Sequence, residues 1–87
     1  MESNNQQIEL ENKFKEELSL ANQGNIDAQF NIGLMYKKGE GVKQDYNKVL
    51  EWFEKAVNQE NKNAQFNIGL MYKNGEGVKQ DYNKALE

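Results

Sequence analysis

Two glycine loops, each carrying a lysine, are the stretches of this 87-residue chain whose residue types come closest to chemistry. Gly39-Glu40-Gly41-Val42-Lys43 returns as Gly75-Glu76-Gly77-Val78-Lys79. Glycines beside a lysine can cradle a phosphate with backbone N–H groups and an ammonium. A Walker loop, however, has four residues between its glycines and follows its lysine with Ser or Thr. Here one residue separates the glycines, and Gln44 and Gln80 follow the lysines. A dinucleotide fingerprint needs a third glycine three positions on, and the same two glutamines stand there. The glutamate between each pair of glycines also repels phosphate. These loops read as turns.

Paired carboxylates are the second candidate: Glu9 with Glu11, Glu16 with Glu17, and Glu51 with Glu54. Neighbouring carboxylates on a helix point to different sides. Glu51 and Glu54 fall on the polar arc of their helix, and Glu51 is correctly placed to pair with Lys55 four residues on. Two-carboxylate hydrolysis needs a cleft and a displaced pKa, and the pattern supplies neither. The chain has no histidine and no cysteine, so the commonest general base, the commonest metal ligand and the thiolate nucleophile are absent. We therefore expect no enzyme, no cofactor and no metal.

Composition narrows the remaining classes. Eleven lysines against fourteen acids give a net charge of −3, and there is no arginine. That balance argues against nucleic acid, whose recognition favours a basic face and the guanidinium fork. No apolar run approaches the roughly 20 residues of a membrane helix. The N-terminus lacks the basic and apolar regions of a signal peptide. A cytoplasmic protein with no membrane contact is the expectation. The many asparagines and glutamines are interleaved with periodic apolar residues and read as surface.

The elements that position these residues come from a repeat. Residues 28–51 recur at 64–87 with an offset of 36, and only Lys38/Asn74 and Val49/Ala85 differ. A period of this length suits a helix–turn–helix unit. In the first helix, A, bounded by Asn25 as N-cap and Gly39 as stop, Ala28, Ile32, Met35 and Tyr36 share one face. Phe30 and Leu34 fall almost opposite, so helix A is apolar on two sides. The second helix, B, follows Asp45 as N-cap. Its apolar residues Val49, Leu50, Trp52, Phe53, Ala56 and Val57 form one stripe, which places A inside and B outside. An N-terminal helix from about Gln6 to Asn22 carries Leu10, Phe14, Leu18 and Ala21 on one face and ends at Gly24.

In register, Ala28, Ile32-Gly33, Tyr36, Gly39, Gly41-Val42, Asp45, Lys48-Val49, Trp52 and Lys55-Ala56 resemble the Sel1-like repeat, a relative of the tetratricopeptide repeat. The family has leucine at Ile32 and alanine at Val49. The second copy follows the pattern from Ala64 to the last residue. The resemblance implies an all-α fold, an α/α solenoid of antiparallel helix pairs with about five helices, the last truncated. Residues 1–24 would form a capping helix, 25–60 a first repeat and 61–87 a second, shortened one. It implies an adaptor that binds a protein or peptide through the concave face lined by A helices. The residues there would be Phe30, Leu34, Lys37 and Lys38, with Phe66, Leu70, Lys73 and Asn74 as their equivalents. Phe30, Leu34 and their equivalents either form an exposed stripe flanked by lysines or pack on each other between neighbouring A helices. Gly33 and Gly69 would let a neighbouring helix approach. A second, different reading is a stand-alone inhibitor from a phage or mobile element that blocks a host enzyme such as a CRISPR nuclease. The short last helix leaves an apolar side uncovered, so end-to-end stacking into a homo-oligomer is also expected.

Overall fold

The computed structural model describes the backbone of residues 2–85 and the side chains of residues 5–85. Five helices follow one another: α1 Glu2–Asn22, α2 Ile26–Lys38, α3 Tyr46–Asn58, α4 Lys62–Asn74 and α5 Tyr82–Ala85. Each packs on the next in sequence, which gives an elongated body of 46 × 26 × 16 Å. The last two residues of the second repeat lie outside the described residues.

Caps set the boundaries where the sequence places them. Asn25 accepts from the Ala28 N–H at 2.8 Å, and Asn61 from Ala64 at 2.8 Å. Asp45 accepts from Asn47 and Lys48, and Asp81 from Asn83 and Lys84. These side chains satisfy N–H groups that a helix start leaves without partners. At the other end, Gly39 (φ 70°) and Gly75 (φ 70°) reverse the chain in the left-handed region. The N–H groups of Gly39 and Glu40 both donate to the Met35 carbonyl, a Schellman-type closure.

α1 begins four residues earlier than the expected Gln6, at Glu2. No glycine or proline precedes Gln6, so nothing in the sequence stops the helix there. α1 keeps the 36-residue register of α3. Gly41 packs against Leu10 of α1 as Gly77 packs against Tyr46 of α3. Phe14 and Ala21 are buried, while Lys13 and Glu16, at the register positions of Val49 and Trp52, are exposed.

The core has two parts. Phe14, Ala21, Ala28, Ile32, Met35 and Trp52 form the first, and the Phe14 and Tyr36 rings meet edge-on at 5.4 Å. Val49, Phe53, Ala56, Ala64 and Met71 form the second. α2 serves both, as its two apolar sides require. So does α3, which sends Trp52 to one cluster and Phe53 to the other. The single outer stripe expected of helix B is therefore two adjoining faces, because α3 is wedged between α2 and α4.

A buried amide links three helices. Gln29 donates to the Ala21 carbonyl at 3.2 Å and accepts from Gln59 at 2.9 Å, and Gln59 also donates to the Gly24 carbonyl. Gly24 (φ 94°) has Glu60 (φ 68°) as its equivalent one repeat later. Glu60 is the only non-glycine with positive φ among the described residues, and a side chain there costs about 1 kcal/mol or more. Glu60→Gly is expected to stabilise the fold by up to about 1 kcal/mol, read as a higher midpoint in urea denaturation. An unchanged or lower midpoint would show that Glu60 is not strained.

Candidate functional site

The amides at the start of each glycine loop are engaged by the fold's own hydrogen bonds. The amides of Gly39 and Glu40 are taken up by Met35, and Asp45 N–H donates to the Tyr36 carbonyl at 3.1 Å. In the second copy Glu76 donates to Met71 and Asp81 to Tyr72. Gln44, which replaces the glycine a nucleotide loop would need, donates from Nε2 to the Lys37 carbonyl at 2.7 Å. Gln80 does the same to Lys73 at 2.8 Å and also reaches the Tyr82 hydroxyl at 3.0 Å. The glutamine is a side-chain cap for the end of helix A. Its sequence signal is the recurrence of Lys-Gln-Asp-Tyr after both loops. Among the described residues no group of three or more acidic, histidine or cysteine side chains is placed to hold a metal. No helix among them is long and apolar enough to cross a membrane.

The structure separates the eight expected site residues into unequal halves. Phe30 is half-buried and stacks on Phe53 of α3, with centroids 5.5 Å apart and planes at 23°. The Phe53 ring has taken its face, so Phe30 packs into the second core cluster and does not join an exposed stripe. That ring also fills the space beside Gly33, where an added Cβ would lie 2.4 Å from Phe53 Cε1. The glycine thus lets the neighbouring helix α3 approach, with an aromatic ring seated on it. Leu34 is half-buried and lies beside Lys38 in a shallow hollow between α1 and α2 that also includes Lys13 and Glu17. Lys37 is half-buried and its carbonyl is capped by Gln44.

The second repeat is arranged differently. Phe66 is 66% exposed and Tyr82 62% exposed. With Gly69, Leu70 and Ala85 they line an open groove of about 640 Å³ whose surface is mostly apolar. At Gly69 the nearest neighbour is the Ala85 carbonyl, 2.9 Å from an added Cβ, where Gly33 has the Phe53 ring. Lys62 and Lys73 also line this groove, and among the described residues no acidic one does. Asn74 lies outside it and donates to Glu76 at 3.3 Å. So the structure brings Phe66, Leu70 and Lys73 together and leaves Phe30, Leu34, Lys37, Lys38 and Asn74 elsewhere. Sequence reasoning missed Lys62 and Tyr82. Lys62 was findable as the residue that replaces Ile26 of the first copy, on the same helical stripe as Phe66, Leu70 and Lys73.

With the geometry in place, the likenesses to known proteins are clear. The Sel1 repeat family model matches residues 26–61 and 62–87. A Sel1 repeat protein from Oxalobacter formigenes is 39% identical with a TM-score of 0.81, over 87% of this chain and 31% of that protein. A protective antigen present in uropathogenic Escherichia coli strains, displaying an SLR fold, is 34% identical with a TM-score of 0.81. That match covers 84% of this chain and 16% of the antigen, so the chain spans a third or less of either structure. No curated protein matches the chain.

Proposed function

Because the chain belongs to the Sel1 repeat family, we propose that it is a non-catalytic scaffold that binds a protein partner through the exposed face of α4. The observation that carries this reading is the groove of Phe66, Leu70 and Tyr82. An exposed apolar patch of this kind, rimmed by polar residues, marks an interaction surface. The repeat fold supports the same direction, since stacked helix pairs build extended surfaces suited to protein partners. Of the expected concave-face residues, the proposal retains Phe66, Leu70 and Lys73 as contact residues. It gives Phe30 a packing role, because its ring is stacked within the fold.

The test is affinity capture with the wild-type chain and with a Phe66→Gln, Leu70→Gln variant. Proteins retained by the wild type are expected to fall at least tenfold on the variant, while its circular dichroism spectrum keeps its helical form. Phe66 is largely exposed, so most of its effect should fall on binding. Undiminished capture by a folded variant would overturn the assignment of the surface to α4.

A further inference from the structure

The second turn carries a dipeptide that the first does not. Lys38-Gly39 becomes Asn74-Gly75, and no other asparagine of the chain precedes a glycine. In such a pair the following backbone nitrogen can attack the asparagine side chain, because glycine has no Cβ to crowd the approach. Asn74 is exposed, and so is Lys38, its register equivalent, with α3 packed on α2. Exposure at this position is therefore a property of the repeat. The fold restrains the pair in two ways. Asn74 is the last residue of α4, and a helical backbone holds the next nitrogen away from the side-chain carbonyl. The N–H of Gly75 also donates to the Met71 carbonyl, as does that of Glu76 at 2.9 Å. Both restraints sit at a helix end, where local opening costs least.

We infer that Asn74-Gly75 is a site of spontaneous deamidation, gated by opening of the last turn of α4. Its only co-reactant is water. When the Gly75 N–H leaves Met71, its nitrogen attacks Asn74 Cγ. The N–Cγ bond forms, the Cγ–Nδ2 bond breaks, and the Gly75 proton departs with the side-chain nitrogen as ammonia. Water then opens the cyclic imide at either carbonyl. Opening at Cγ gives aspartate. Opening at the backbone carbonyl gives isoaspartate, whose main chain is one carbon longer. Neither product restores the turn. Asn74 Nδ2 donates to the Glu76 carboxylate at 3.3 Å, and a carboxylate in its place faces a like charge at the negative end of the helix. In isoaspartate the longer main chain also misplaces the two N–H groups that close on Met71. The first repeat, with lysine at this position, keeps its turn. None of this depends on the reading of α4 as a binding face.

The test is ageing of the 87-residue chain at constant pH, with and without guanidinium chloride, followed by peptide mapping with mass spectrometry. In the native chain, loss of the side-chain amide at Asn74 is expected to exceed that at any other asparagine, with both acid products present. In denaturant the turn is open throughout, and the loss should run at least tenfold faster. Asn74→Lys restores the residue of the first copy and supplies a chain that cannot react there. Aged wild type should melt below fresh wild type, while Asn74→Lys keeps its melting point through the same ageing. Asn74 reacting no faster than the other asparagines overturns the site. Equal rates with and without denaturant overturn the gating by the turn. An unchanged melt once most of Asn74 has converted, or an equal drop in Asn74→Lys, overturns the damage to the second turn.

Discussion

Phe53→Ala is expected to cost about 3–5 kcal/mol of stability, while Phe66→Ala should change it by no more than about 0.5 kcal/mol. Both are phenylalanines beside a helix-A glycine, but Phe53 is fully buried and Phe66 is 66% exposed. Removing the Phe53 ring takes away the stacking partner of Phe30 and leaves a cavity beside Gly33, in the cluster that joins α3 to Ala64 and Met71 of α4. A domain of this length holds roughly 4–13 kcal/mol in total, so the loss is a large fraction of it. Urea denaturation followed by circular dichroism would show the midpoint falling steeply for Phe53→Ala and staying near wild type for Phe66→Ala.

A second substitution makes the result specific. Gly33→Ala alone should cost about 1–3 kcal/mol, because its Cβ would lie 2.4 Å from Phe53 Cε1 in a packed site. In the Phe53→Ala background the same change enters empty space. It should then be neutral or stabilising, since alanine is favoured over glycine in a helix by about 1 kcal/mol. The sign of Gly33→Ala therefore depends on residue 53. If the two losses simply add, the ring does not occupy the space beside Gly33.

Much of this fold is legible in the sequence because its signals are local. Asn25, Asn61, Asp45 and Asp81 cap the helices that follow them, and Gly39 and Gly75 end the helices before them, through bonds spanning only a few residues. The two apolar sides of helix A follow from its period alone. The features that the sequence leaves open depend on what lies across the fold. Phe30 and Phe66 have the same neighbours in sequence from Ala28 to Lys37 and from Ala64 to Lys73, yet one is stacked and the other open. The difference is the Phe53 ring, which no local pattern at Phe30 reveals. The groove was half legible for the same reason. Phe66, Leu70 and Lys73 share a helical stripe, but Tyr82 joins them only because α5 folds back on α4. Glu60 escaped notice because a left-handed cap carrying a glutamate has no sequence mark, although its equivalent Gly24 does.

The two glycines of the Gly-Glu-Gly turn should also prove unequal, with Gly41→Ala costing about 2–5 kcal/mol and Gly39→Ala about 1–2 kcal/mol. Both have φ near 70°, so any side chain at either position carries the left-handed penalty of about 1–2 kcal/mol. At Gly39 the penalty stands alone, because the nearest atom to an added Cβ is Gln44 Cβ at an ordinary 3.5 Å. At Gly41 the added Cβ would lie 2.3 Å from the Leu10 carbonyl oxygen and 2.7 Å from its carbon. That neighbour is helix backbone and cannot rotate aside, so the loop must lift from α1 and lose the packing of Val42 on the first core cluster. Thermal melts should place Gly41→Ala well below Gly39→Ala, by about 4–8 °C for each kcal/mol between them. Hydrogen exchange locates the damage. Amides of α1 should lose protection in Gly41→Ala ahead of those in α3 and α4, because the contact broken is the one that holds the turn to α1. Equal melting points for the two variants, or uniform loss of protection, would mean that Gly41 acts only through its backbone angle and that α1 is held by its side chains alone.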